Sequence, residues 1–157
     1  MKRGYVCRSV GLHRIGWRAT CSALANVEAV ADGLAWLVGS EEDVTLDRTS
    51  SYHGPEIVLI EASTSKKKAA LHSLARLGEA NLRTLTSELD QRLDEHHVLH
   101  FRLELDRLVA GDVVLASGAG TNQIKAQAKI EVYPGQTPGE EAAACLEQAL
   151  QVATTAR

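Results

Sequence analysis

The residues best suited to chemistry are cations spaced two or four apart. In 12–22, Arg14 and Arg18 alternate with Ile15, Trp17, Ala19 and Cys21. In 97–105, His100 and Arg102 alternate with Leu99, Phe101, Leu103 and Leu105. In 123–132, Lys125, Gln127 and Lys129 alternate with Ile124, Ala126, Ala128, Ile130 and Val132. Period two sends successive side chains to opposite faces of a strand, so each segment buries one row and presents the other. If the three strands share a sheet, their outward rows give one face of four or five cations, diluted by Glu104 and Glu131. Arginine forks and lysine point charges on one face suit a phosphate backbone. A solvated face of balanced charge is the alternative. Lys66, Lys67 and Lys68 open a helix, where three positive charges oppose the macrodipole. They are a second candidate phosphate contact, again with a solvated face as the alternative. The strand faces carry no outward aromatic, so base stacking on the sheet is not expected.

Other chemistry finds less support. The chain has no Gly-x-Ser-x-Gly elbow and no phosphate-loop motif, and 118–122 lacks the third glycine and following helix of a dinucleotide fingerprint. Glu41-Glu42-Asp43 and Asp94-Glu95 fall at element ends, where solvation explains them. His96, His97 and His100 have no thiolate nearby, and a strand would send His97 inward and His100 outward. Neither metal nor cofactor is expected, and the chain reads as non-catalytic. Cys7, Cys21 and Cys145 are odd in number and widely spaced, which fits reduced thiols rather than a disulfide framework.

The elements that must position these residues follow from periodicity. Strand 12–22 is followed by helix 26–38, with Asn26 as N-cap and Gly39 as stop. Strands 43–50 and 56–62 flank turn residues 51–55. Leucine stripes mark helices over 65–77 and 79–95, divided by Gly78. Strands 97–105, 113–117 and 123–132 come next. Thr137-Pro138-Gly139-Glu140 has the pattern of a capping box and opens a terminal helix. This order implies an α+β fold: a mostly antiparallel sheet with helices packed on one face. Trp17 and Phe101 are expected on the inner face, beneath Leu34, Leu71 and Leu74.

At 157 residues, 45% hydrophobic and 24% charged, the chain is expected to form a single domain over 1–157. Its core spans 12–153, and 1–10 read as a flexible basic segment. No run approaches the roughly 18 apolar residues of a membrane span, and no secretory signal is recognisable, so a cytoplasmic protein without membrane contact is expected. Net charge is −3, yet residues 1–18 hold five cations and no acid. This asymmetry permits a basic patch on an otherwise acidic protein.

Three motifs, in order over about 12–134, resemble an archaeal family of RNA-binding proteins described as a predicted exosome subunit. They are His13-Arg14-Ile15-Gly16-Trp17-Arg18-Ala19 before a helix, Tyr52-His53-Gly54-Pro55-Glu56-Ile57 entering a strand, and Phe101-Arg102-Leu103-Glu104 with Gly111 nine residues after Arg102. Two departures stand out. Pro55-Glu56 replaces the family's Asn-Pro, and Glu104-Leu105-Asp106 replaces its Asp-Lys-Gln, with Arg107 as a candidate substitute for the missing lysine. The resemblance implies a fold like ribosomal protein L5 and a non-catalytic RNA binder accessory to exosome-type RNA processing or degradation. The proposed RNA contacts are Arg14, Arg18, His53, Lys66, Lys67, Lys68, Arg102, Lys125 and Lys129. The rival reading is an interaction module that docks on a ribosomal or exosome protein through a sheet edge. A second copy of the chain is a further candidate partner.

Overall fold

The alternating segments form the sheet expected of them. The computed structural model describes residues 11–22, 26–50, 56–117 and 122–155. Its strands are β1 (Leu12–Ser22), β2 (Val44–Ser50), β3 (Glu56–Thr64), β4 (Val98–Glu104) and β5 (Gln123–Ile130). They make one sheet in the order β2-β3-β1-β5-β4, with every neighbouring pair antiparallel. β1 is therefore central, and β5 inserts between it and β4. The described helices are α1 (Val27–Val38), α2 (Lys67–Ala75), α3 (Glu79–Ser87), α4 (Leu89–Arg92), α5 (Leu105–Val109) and α6 (Pro138–Thr155), with one 3-10 turn at Glu41–Asp43. None of them is long and apolar enough to cross a membrane.

The inner rows are buried as the alternation requires: Ile15, Trp17 and Ala19, then Val58, Ile60 and Ala62, and equivalent residues of β4 and β5. Leu12 is buried as well, although it lies three residues before Ile15. A bulge between Leu12 and Arg14 adds the extra residue that keeps both inward. α1 and α2 lie on this face, and α6 packs against α2 and α3. α1 begins where Asn26 accepts a hydrogen bond from the Ala29 N–H at 3.1 Å. It ends at Gly39, whose φ of +91° is a left-handed cap that glycine adopts without Cβ strain. At the start of α6 the Thr137 hydroxyl donates to the Glu140 carboxylate at 2.6 Å, so the capping residues meet side chain to side chain.

Trp17 and Phe101 are 1% and 2% exposed and meet edge to face, with ring centroids 5.5 Å apart. Leu34 and Leu74 are fully buried with them, whereas Leu71 is only partly covered. The indole N–H of Trp17 donates to Ser73 Oγ at 2.8 Å, and Ser73 Oγ donates to the Leu37 carbonyl in the last turn of α1. One buried hydroxyl thus joins β1, α2 and α1 and satisfies a donor that burial would otherwise strand.

Three elements differ from the expectation. The helix of 79–95 breaks at Glu88. Just before the break the Thr84, Thr86 and Ser87 hydroxyls all donate to backbone carbonyls of their own helix, a pattern that bends and weakens it. Segment 113–117 is not a sixth strand. It lies along β4, with Glu104 N–H donating to the Val114 carbonyl and Ala116 N–H to the Arg102 carbonyl, but forms a single bridge, Leu103 to Leu115. The chain also leaves β4 at Glu104, because Leu105 and Leu108 turn into the core as the buried side of α5.

Ser73→Ala should destabilise the protein by about 1–3 kcal/mol, because it leaves the Trp17 N–H unpaired and removes a donor from the Leu37 carbonyl. Trp17→Ala should cost about 3–5 kcal/mol as a large-to-small core change. Denaturant titration measures both, and a neutral Ser73→Ala would show that the buried chain does not hold these elements together.

Candidate nucleic-acid interface

Because β1 lies between β3 and β5, its outward residues face defined partners on both sides. Arg14 is opposite Lys129, Gly16 opposite Gln127 and Arg18 opposite Lys125. Across the next ladder Lys125 is opposite Arg102, and Gln127 opposite His100. Side chains so paired have Cβ atoms about 4.5–5.5 Å apart. Arg18, Lys125 and Arg102 therefore make a row of three cations on three adjacent strands, with Arg14 and Lys129 as a parallel pair. Like charges directly opposite destabilise a sheet. Compensation is slight. Arg18 Nε lies 3.9 Å from Glu61 on β3, an exposed and loose pair. Arg102 donates to the neutral Gln123 amide oxygen at 3.3 Å, and Lys129 donates to the His96 carbonyl. Among the described residues, no carboxylate lies within 4.0 Å of Arg14, Arg102, Lys125 or Lys129.

The cations line a trough. One depression of about 490 Å³ is bordered by Arg14, Gly16, Ser63, Lys66 and Lys129, with the Asp43 carboxylate among its lining. A second, of about 380 Å³, shares Gly16, Asp43 and Ser63 and adds Arg18, Glu61 and Lys125. A third, of about 540 Å³, shares Lys125 and adds His100, Arg102, Ser117 and Arg92, which is paired with Glu88 at 2.7 Å. Gln127 lines all three. Gly16 lies in the floor. A Cβ built there would touch only Ser63 Cβ, at 3.8 Å, so the backbone does not demand glycine. The missing side chain simply leaves the floor low.

The three lysines divide. Lys66 lines the trough at the N-terminus of α2. Lys67 turns to Glu131, with Nζ 3.0 Å from Oε1. Lys68 is exposed, without a carboxylate partner among the described residues. Glu131 also has His13 Nδ1 at 3.6 Å and receives the Tyr133 hydroxyl at 2.8 Å. The Tyr133 hydroxyl bond and then the Lys67 ammonium hold the Glu131 carboxyl below its ordinary pKa. The same contacts with Glu131 raise the pKa of Lys67 and of Tyr133. His53 lies outside the described residues. Arg107, the candidate replacement for the family's lysine, sits on α5 and pairs with Asp112 at 2.9 Å.

The histidines serve a turn. Asp94 Oδ1 accepts from the His96 and Val98 N–H groups, and its Oδ2 lies 2.7 Å from His100 Nε2. His97 occupies the left-handed region of this turn at φ 64°, and His96 lies 3.6 Å from Glu95. The described residues contain no group of three or more His, Cys, Asp or Glu arranged to hold a metal. Sequence reasoning missed Tyr133, which is exposed, and Arg92, which joins the trough from α4. The Pro134-Gly135 pair after Tyr133 was the available signal, since it marks a turn that breaks the strand pattern.

The model of a family described as RNA binding matches residues 14–130. The chain belongs to this RNA-binding family. The match runs from β1 through β5 and includes every strand of the sheet, so the trough lies within the family's span while Tyr133 and α6 lie beyond it. Solved structures agree on the fold. A DUF54 protein of Archaeglobus fulgidus is similar at a TM-score of 0.65 and 22% identity, over 86% of this chain and 98% of its own. A DUF54 protein of Methanothermobacter thermautotrophicus gives 0.64 and 19%, over 88% and 98%. A UPF0201 protein of Methanococcus jannaschii gives 0.57 and 13%, over 87% and 98%. No curated protein matches the sequence.

Within the family span, the Asp94 turn sets where β4 begins. The His100 imidazole, then the Val98 and His96 N–H groups, lower the Asp94 pKa from 3.8 to about 2. A depressed carboxylate stabilises the fold above its ordinary pKa. That contribution fades as pH falls from about 4 through about 2. In His100→Ala the Asp94 carboxyl should titrate closer to its ordinary value. Carboxyl-carbon NMR across pH 1.5–5 would show this, and an unchanged Asp94 midpoint would remove His100 from the turn's electrostatics.

Proposed function

We propose that the outward face of the sheet binds RNA through its phosphate backbone and performs no chemistry on it. One observation carries this reading: Arg18, Lys125 and Arg102 stand directly opposite one another across three strands, with Arg14 and Lys129 beside them, and among the described residues only Arg18 of these five has a carboxylate within 4.0 Å, although Asp43 and Glu61 line the same depressions. A sheet gains nothing in stability from such rows, and a polyanion would turn their mutual repulsion into attraction. Membership in the RNA-binding family supports the same ligand. The narrower reading is an L5-like cytoplasmic accessory to exosome-type RNA processing, resting on the motif resemblance around Trp17, His53 and Phe101.

The arrangement separates function from stability. Lys125→Thr removes the cation between Arg18 and Arg102 and installs a good strand former. It should leave stability unchanged or raise it by a few tenths of a kcal/mol, while weakening RNA binding. Each phosphate contact on a single strand contributes about −0.7 to the slope of log K against log salt, so four contacts give about −3. Replacing Arg14, Arg18 and Lys129 together by Ala should flatten that slope by about two units and weaken different RNA sequences alike. If the triple variant keeps both affinity and slope, the sheet face is not the RNA site, and docking on a protein partner becomes the better reading.

A further inference from the structure

Tyr133 is 56% exposed, and both of its ends are fixed. Its backbone opens the turn Tyr133-Pro134-Gly135-Gln136. Gly135 has φ +91°, and the Gln136 N–H donates to the Tyr133 carbonyl at 3.0 Å, with proline and glycine where a type II turn wants them. The Tyr133 N–H donates in return to the Gln136 side-chain oxygen at 2.8 Å. At the other end, the hydroxyl is held by Glu131, which is itself held by Lys67. An aromatic ring in solvent is ordinarily free to change rotamer, whereas this one is anchored at its hydroxyl while more than half of the residue stays exposed. Its anchors adjoin the trough. His13 precedes Arg14, Lys67 follows Lys66, and Glu131 lies two residues past Lys129, and all three neighbours line the same depression.

We infer that Tyr133 is a stacking platform at the Arg14–Lys129 end of the trough, where an unpaired base of a single-stranded RNA lies on its ring. The inference rests on the trough binding RNA backbone and adds what kind of RNA it takes. Backbone cations alone treat single strands and duplexes similarly, whereas an exposed ring can engage only a base that is free to leave its neighbours. Holding the ring in place lowers the ordering cost of each stacking event. The same anchoring assigns a role to Glu131, an acid that otherwise detracts from a cationic face: it orients Tyr133 and occupies Lys67.

The experiment compares full-length protein binding to an oligoadenylate single strand of about ten nucleotides and to an RNA duplex of similar length, at one salt concentration and then across several. Tyr133→Ala should weaken the single strand about tenfold or more, leave the duplex within about twofold, and leave the salt slope unchanged. Tyr133→Phe keeps the ring but loses its Glu131 anchor, so it should fall between wild type and Tyr133→Ala on the single strand and match wild type on the duplex. Because the side chain is exposed, both variants should fold, and thermal unfolding checks that they do. If Tyr133→Ala binds the single strand as well as wild type does, or loses single strand and duplex equally, the platform is refuted. If Tyr133→Phe falls as far as Tyr133→Ala, the hydroxyl rather than the ring is what matters, and the platform is again refuted. In each of these cases the trough reading survives as long as the Arg14, Arg18 and Lys129 triple variant loses binding. If wild type binds neither RNA, both readings fail together.

Discussion

The Trp17 indole N–H, buried in the centre of the sheet, has one hydrogen-bond partner, and the position of the cationic face follows from it. A buried donor left unpaired costs on the order of 1–3 kcal/mol, and the ring around it carries the largest share of apolar burial on β1. Ser73 meets that donor only when α2 is seated and the end of α1 is in place, since its own hydroxyl proton goes to Leu37. A slip of β1 by one residue would orphan the indole and send Arg14, Gly16 and Arg18 into the core. The penalty for burying two guanidinium groups far exceeds any alternative pairing. The outward cations are thus held in register by what happens on the opposite face of the same strand.

That arrangement lets the sheet tolerate a surface that works against it. Each directly opposed pair of like charges costs at most a fraction of a kcal/mol in water, because solvent and salt screen it. Packing of the Trp17 and Phe101 rings beneath the same strands contributes several times more. The core therefore outweighs the repulsion, and the cations can gather on the two strands at the middle of the sheet and on β4 beside them. Gly16 extends the same economy of means. Its backbone has no need of glycine, yet any larger residue would fill the floor between Arg14 and Arg18, so its effect is on access rather than on the fold.

Much of this was legible in the sequence, because alternation is a local property. The strands around Trp17, Phe101 and Ala126, the Asn26 and Gly39 ends of α1, and the outward course of Arg14, Arg18, Arg102, Lys125 and Lys129 all follow from period and capping chemistry. What escaped depends on contacts between distant residues or on competition within a helix. The side-chain hydroxyls of Thr84, Thr86 and Ser87 break a leucine stripe that periodicity alone reads as continuous. The alternation of 113–117 suggests a strand, but the chain has already turned away through α5 and returns with one bridge. The lysine triplet looks like one unit in sequence. Only the approach of α2 to the end of β5 shows that Lys67 belongs to Glu131 while Lys66 faces the trough.

The departure from the family pattern after Arg102 now has a physical reading. In this chain Glu104 is the last residue of β4, and Leu105 turns inward to begin a helix whose buried side is Leu105 and Leu108. A lysine or glutamine at the next two positions would lie on α5 rather than on the sheet, and Arg107 there is already paired with Asp112. The trough therefore draws its charge from β1 and β5, with Arg102 as the last contribution from β4. Charge is densest at the β1–β5 ladder, where four cations occupy two opposed pairs. A flexible polyanion crossing the sheet would be held most firmly there, midway between Lys66 at one end of the trough and Arg92 at the other. Since the strands supply charge but no outward aromatic, any discrimination between kinds of RNA has to come from outside the sheet, in the segment that follows β5.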